Sequence, residues 1–246
     1  MTNKYMYFVA NWKMFGNLKS INTLDKVIKF SKSKEIKKGR LIYCPPFTLI
    51  TAFFKKFQNC LIDIGAQNCH ESEDYGPHTG FINSRMLKSV GANYVILGHS
   101  ENRKKGETDK LINLKIKNSI KAKLKIIFCI GETLTEKKRG KTRLILSRQI
   151  RLGLNKIKKK SNILIAYEPV WSIGTGNIPK PKELEQTVNF IKKKFKGKSP
   201  KILYGGSVNP QNISDLKKIN TLDGFLIGGA SQSPKKFIDI VKKTYN

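Results

Sequence analysis

Eight short apolar runs, set at intervals along 246 residues, constrain this chain more than any other feature. They are YFVA (7–10), LIYC (41–44), IDIGA (62–66), YVILG (94–98), IIFCI (126–130), ILIAY (163–167), ILY (202–204) and GFLI (224–227). Each is too short for a helix and is rich in β-branched or aromatic residues, so each reads as a strand. They are mainly continuous apolar runs, and continuous apolar strands are expected where a parallel sheet is covered on both sides. The segments between them have the other period. Leu24, Val27 and Ile28, and later Leu146, Ile150, Leu154 and Ile157, recur at three- and four-residue spacing and would form one helix stripe. A last helix is expected where Ser233 can cap, Pro234 can occupy the first turn, and Phe237, Ile238 and Val241 would face inward.

Eight strand-then-helix units in about 250 residues match a closed (β/α)8 barrel. The rival, an open doubly wound sheet, would usually carry a glycine-rich dinucleotide turn after its first strand, whereas this one runs into NWKMFGN. No Pro/Gly/Ser-rich linker or low-complexity tract divides the chain. The expectation is an α/β chain forming one (β/α)8 barrel domain over residues 1–246.

Composition narrows the partners. The formal net charge is +31, from 48 Lys+Arg against 17 Asp+Glu, and a nucleic-acid or anionic-membrane binder has to be weighed. Only seven of the 48 are Arg, and the lysines are spread along helical patterns such as KVIKFSKSKEIKK, as on solvated helix faces. No nucleic-acid-binding motif accompanies them. No apolar run approaches the roughly 20 residues of a membrane helix, and the N-terminus lacks a secretory h-region. Cys44, Cys60, Cys69 and Cys129 show no C-x-x-C spacing, and a large core needs no staples. The expectation is a cytoplasmic protein with reduced thiols, no nucleic-acid or membrane partner and no metal. His70, His78 and His99 lack an H-E-x-x-H or C-x-x-C context.

In such a barrel, function sits where strands end and loops begin. The first strand delivers Asn11 and Lys13, the fourth His99 and Glu101, the fifth Cys129 and Glu132, and the sixth Glu168. The last two are followed by YGGSV (204–208) and IGGAS (227–231), whose backbone N–H groups can cradle a phosphate. Glu168 stands at the head of EPVWSIGTG, one carboxylate between an apolar strand and a glycine-rich loop.

ANWKM (10–14), GAQN (65–68), GHSE (98–101), CIGE (129–132), AYEPVWSIGTG (166–176), YGGSV and GFLIGGAS (224–231) together resemble the triosephosphate isomerase family, in order and over nearly the whole chain. The resemblance implies a TIM barrel that interconverts dihydroxyacetone phosphate and glyceraldehyde 3-phosphate through an enediolate, without a cofactor. By the same resemblance Glu168 is the base, His99 a neutral imidazole acting as electrophile, and Lys13 a fixed positive charge oriented by Asn11. Glu101 anchors Lys13 or His99, and Cys129 is a packing residue near the base. Ser207, Gly228, Gly229 and Gly174 would bind phosphate together with Asn11 and Lys13. The lid would be Pro169, Val170, Trp171, Ile173, Gly174, Thr175 and Gly176, shielding an intermediate that eliminates phosphate in water.

The resemblance also implies a homodimer whose third loop, His70 to Ile82, presents Thr79 to the neighbouring subunit. The chain departs from the family pattern in three places. The far hinge reads Asn177-Ile178-Pro179, where proline fixes φ. His78 and Phe81 replace an aromatic and a carboxylate, and Asn102 stands where an Arg is expected, so a cross-subunit ion pair is not available. Two rivals remain open from the residues alone. One is another phosphate-binding barrel with a Schiff-base lysine in a strand core, although no strand core contains a lysine; the other is a basic binding protein on a barrel scaffold. For Glu168 the bland alternative is a strand-end ion pair with one of the lysines.

Overall fold

In the computed structural model, residues 4–33, 36, 38–158, 160–197 and 199–246 are described. Eight strands alternate with helices: β1 (Met6–Asn11), β2 (Gly39–Cys44), β3 (Ile62–Ala66), β4 (Tyr94–Leu97), β5 (Lys125–Ile130), β6 (Ile163–Tyr167), β7 (Lys201–Tyr204) and β8 (Gly224–Ile227). Around them run α1 (Asp25–Ser31), α2 (Ile50–Lys56), α3 (Ser84–Ser89), α4 (Ser100–Lys104), α5 (Asp109–Lys121), α6 (Leu134–Lys138), α7 (Thr142–Gly153), α8 (Pro181–Lys193), α9 (Ile213–Leu216) and α10 (Pro234–Tyr245). Each strand pairs in parallel with the next, and β8 returns to β1 through Tyr7↔Gly224 to Ala10↔Ile227, closing the ring.

Why the apolar runs were continuous follows from the two layers of core. Val9, Ile42, Ile96, Ile127, Leu164 and Leu203 point into the barrel and pack on one another. Their chain neighbours Phe8, Leu41, Val95, Ile126, Ile165 and Ile202 point outward and pack under the helices. Successive side chains alternate between two dry compartments, so little room is left for polar residues within the strands; the exception in β3, half-buried Asp63, pairs with Arg40 of β2 at 3.2 Å.

The helix stripes hold with two corrections. The stripe from Leu146 to Ile157 is not one helix. α7 stops at Gly153, with Leu154 as its C-cap, and Ile157 is buried beyond it in irregular chain. Gly153 packs so closely on the Phe128 ring that a Cβ there would lie 2.4 Å from it. Asn113 Nδ2 ties off the free carbonyls, donating to Gly153 O at 2.9 Å and to Asn155 O at 3.0 Å. In α10, Ser233 caps through Lys236 N and Pro234 starts the helix, as expected. Phe237 and Val241 are buried, but Ile240 fills the place expected for Ile238, which is half-buried.

At the rim where strands begin, Asp223 is buried immediately before β8. It accepts from Ile202 N at 2.9 Å and pairs with Lys4 and Lys201, each at 3.0 Å, and with Lys192 at 3.6 Å. Burial alone would raise its carboxyl. The hydrogen bond from Ile202 N–H and the surrounding ammonium groups carry it below the usual carboxylate range instead. All four cysteines are free thiols. Among the described residues no helix is long and apolar enough to cross a membrane.

Candidate active site

At the opposite rim the strand ends build a cavity of about 310 Å³. Asn11 is the last residue of β1, Glu168 follows β6 directly, and His99 stands two residues beyond β4. With Lys13 these four line the cavity from one side. Ser207, Gly228 and Gly229, from the loops after β7 and β8, line it from another, and Ile173 and Gly174 reach it from the loop after β6. Residues far apart in sequence thus share one space. Glu101 lies behind Lys13 and does not line the cavity, nor do Pro169, Val170, Trp171, Thr175, Gly176 or Thr79.

Lys13 adopts φ +56°, the left-handed region that a side chain with a Cβ rarely occupies. The surroundings hold it there. Its N–H donates to Asn11 Oδ1 at 3.1 Å, and its carbonyl accepts from Gln67 Nε2 at 2.8 Å. On either side, Gln67 also reaches Cys44 O, and Gln232 Nε2 donates to Trp12 O at 3.1 Å. The Lys13 ammonium meets Glu101 Oε1 at 2.6 Å. Burial would raise Glu101, but the hydrogen bond from Lys13 and the neighbouring charges lower it below the usual carboxylate range.

His99 caps α4. Its Nδ1 accepts the Glu101 N–H at 3.2 Å, which requires a ring unprotonated at Nδ1 and carrying its proton on Nε2. That nitrogen faces Glu168 Oε1 at 3.4 Å. The same Nδ1 lies 3.7 Å from Glu101 Oε2, and an imidazole that accepts the helix-start N–H there is neutral, with its one N–H aimed at the cavity.

Glu168 is 2% exposed, and among the described residues neither lysine nor arginine lies within ion-pair distance of it. The strand-end ion pair is thus excluded. Its carboxylate accepts a long 3.4 Å bond from Ser100 N at Oε2 and a hydrogen bond from the Cys129 thiol, while Oε1 is buried without a hydrogen bond, 3.4 Å from His99 Nε2. A buried acceptor without a donor is rare in a folded core, because it forfeits its hydration without compensation. Beside it, burial and the Glu168 charge push the Cys129 thiol well above its ordinary range, so Cys129 stays an S–H. Two glycines make the room: a Cβ on Gly131 would fall 1.7 Å from Glu168 O, and one on Gly205 2.8 Å from Glu168 Cγ.

A polar network ties the root of the loop after β6 to the barrel. Trp171 Nε1 donates to Glu132 Oε1 at 3.0 Å, and Tyr167 OH donates to the same carboxylate at 3.2 Å. The Lys137 ammonium sits 3.7 Å over the Trp171 ring. Glu132 is 1% exposed; burial raises its carboxyl despite the donors that oppose the shift. Ser172 Oγ donates to Asn177 O at 2.5 Å and is 2.9 Å from Tyr204 OH. Beyond the loop tip Ile178 packs on the core and Pro179 is buried, so the far hinge is seated rather than loose.

Sequence reasoning noted Glu132 but not its partners Trp171 and Tyr167, and it missed Gln67, Gln232, Gly131 and Gly205. The GAQN, CIGE and YGGSV fragments that contain three of these were the available signal. The Schiff-base rival loses its footing: the strand lysines Lys125 and Lys201 are the first residues of β5 and β7, at the opposite rim. Among the described residues no three His, Cys, Asp or Glu side chains group as a metal site.

Comparison with known proteins agrees with the site. The family model described as triosephosphate isomerase matches residues 6–244. The triosephosphate isomerase of Thermodesulfovibrio yellowstonii is 42% identical over 245 residues, covering 96% of this chain and 98% of that one. That of Dictyoglomus thermophilum is 41% identical over 244 residues, covering 95% and 97%. The crystal structure of triosephosphate isomerase from Bartonella henselae superposes with a TM-score of 0.89 at 34% identity, covering 98% of this chain and all of that one. With the barrel, the cavity and these relatives in accord over almost its full length, the chain belongs to the triosephosphate isomerase family.

Proposed function

We propose that the chain interconverts dihydroxyacetone phosphate and D-glyceraldehyde 3-phosphate, with Glu168 as base and His99 as electrophile. The observation that carries this reading is the buried, unpartnered Glu168 Oε1 set 3.4 Å from the proton-bearing Nε2 of a neutral imidazole. Glu168 takes a proton from the hydroxymethyl carbon, and the C–H electron pair becomes the C=C bond of an enediolate. His99 Nε2–H stabilises the carbonyl oxygen as it gains charge and passes a proton between the two oxygens. The carboxylic acid then returns its proton to the neighbouring carbon, so no redox step or group transfer is involved. The long contact to Ser100 N costs little to break, which leaves the carboxylate free to turn toward carbon.

Lys13, positioned by Asn11 and Glu101, supplies positive charge to the enediolate and the phosphate. The amides of Ser207, Gly228 and Gly229 grip the phosphate dianion. The segment from Pro169 to Gly176, including Val170, Trp171, Ile173 and Thr175, acts as a lid hinged at the Glu132 network, and Gly174 brings its N–H to the phosphate on closure. Exposed Met14, Phe15, Tyr75 and Phe81, on the loops after β1 and β3, support a homodimer in which Thr79 approaches the partner's site. Four free thiols suit a cytoplasmic setting.

A coupled isomerase assay in either direction tests the reading. Turnover should persist with a chelator present and no cofactor added; no turnover, or turnover abolished by the chelator, sinks it.

A further inference from the structure

Among the cavity-lining residues that the chemistry above does not use, a single one is charged. Lys236, on the first turn of the 12-residue helix α10, borders the same space as Ser207, Gly228 and Gly229, while its backbone N–H is spent on the Ser233 cap. Its side chain is exposed, and among the described residues its ammonium makes neither an ion pair nor a hydrogen bond. Such freedom is unusual at this rim, where Lys13 is held at 2.6 Å by Glu101.

Charge counting shows why a loose cation matters there. Glu168 carries −1, Lys13 and Glu101 cancel, and His99 is neutral by its hydrogen bonding. The catalytic groups therefore sum to −1, yet the ligand is a phosphate dianion. Backbone amides supply dipoles but no net charge, so although the chain's net charge of +31 attracts a dianion at long range, the side chains inside the pocket oppose its final approach until a further positive charge beside them is counted. Lys236 brings the total to zero at the phosphate end of the cavity.

Resting on the triose-phosphate reading, we propose that Lys236 is a capture residue: its mobile ammonium draws the phosphate dianion to the mouth of the pocket and stays beside it while the amides of Gly228, Gly229 and Ser207 take hold. It belongs to binding and specificity for doubly charged phosphate esters, and not to proton transfer. Lys235, the preceding residue, is also exposed but does not border the cavity, which makes it the matched control.

The test compares wild type with Lys236→Met, Lys236→Arg and Lys235→Met. Lys236→Met should raise KM about 3- to 10-fold with kcat within about twofold, and the inhibition constant of inorganic phosphate should rise in step. Its kcat/KM should also fall less steeply than wild type as salt rises from about 0.02 to 0.5 M, since screening removes an attraction the variant has already lost. Lys236→Arg should restore all three, and Lys235→Met should match wild type. Wild-type KM and salt slope in Lys236→Met would overturn the proposal, as would a fall in kcat alone or equal effects from Lys235→Met. Calorimetric titration with inorganic phosphate separates this from the reading beneath it. If the wild type fails to isomerise triose phosphates, that reading is lost, and Lys236 is still judged by whether its Met variant binds phosphate more weakly.

Discussion

Two buried carboxylates stand at opposite rims of the same barrel and are treated in opposite ways. Asp223, where strands begin, is 3% exposed and saturated by one backbone N–H and three ammonium groups. Glu168, where strands end, is 2% exposed and has one oxygen that makes no hydrogen bond and faces His99 Nε2 at 3.4 Å. The first is an anchor whose charge has been fully compensated. The second keeps an oxygen open toward the cavity, the arrangement that the proposed base needs to reach a substrate C–H. Equal burial therefore says little about role; the partners decide.

The sharpest way to break this contrast is Glu168→Gln. Turnover should fall by at least about 10²-fold, while thermal stability stays level or rises because an uncompensated buried charge is gone. Near-normal turnover in a steady-state assay would remove Glu168 from the chemistry. Asp223→Ala should do the reverse. Leaving the three lysines and Ile202 N–H without their acceptor should cost about 2–4 kcal/mol in a denaturant titration, at the low end because the lysines can reach water, with kcat little changed in the folded fraction. The sign with pH is fixed by the lowered carboxyl. Its stabilisation is complete above the ordinary aspartate range and is lost as pH falls through the lowered folded-state value, so wild type and variant should converge in acid.

A smaller effect sharpens the contrast from the side of shape. Gly205→Ala places a methyl 2.8 Å from Glu168 Cγ and should displace the carboxylate, lowering kcat about 10-fold with little change in phosphate affinity. The smallest concerns Glu132, whose carboxyl burial raises. As pH falls through that raised value a proton converts one accepting oxygen into a donor, and the Trp171 anchor weakens. Fluorescence of Trp171 should titrate above the ordinary carboxylate range, and Glu132→Gln should abolish the transition. The folded-state value lies above the unfolded one, so the ionised Glu132 opposes folding, and this part of stability grows as pH falls.

How much was readable beforehand divides along the same axis. The strands were legible to within two residues because both of their faces are dry, leaving the apolar runs mainly continuous. His99, Lys13 and Glu168 were legible as polar residues at strand ends, and their placement follows from barrel geometry. What was not legible depends on contacts between distant segments. Gly131 and Gly205 look like ordinary turn glycines until the Glu168 backbone and side chain are seen against them. The end of α7 inside an unbroken apolar stripe is set by Asn113, forty residues away from Gly153. Nor did the lysine count single out Lys236 from its 40 counterparts; its position on the cavity wall, shared with Lys13 but without that residue's ion pair to Glu101, does so.

The seam between β1 and β8 has a consequence for synthesis. Asn11 and Lys13 leave the ribosome early, but the loop that brings Gly228 and Gly229 opposite them is among the last to be made. Until then a nascent chain holds an open sheet with two unpaired edges, and unpaired edges invite association with other chains. The pocket is consequently absent from every shorter intermediate, and catalytic competence should arise in a single late step, when the final strand zips onto the first.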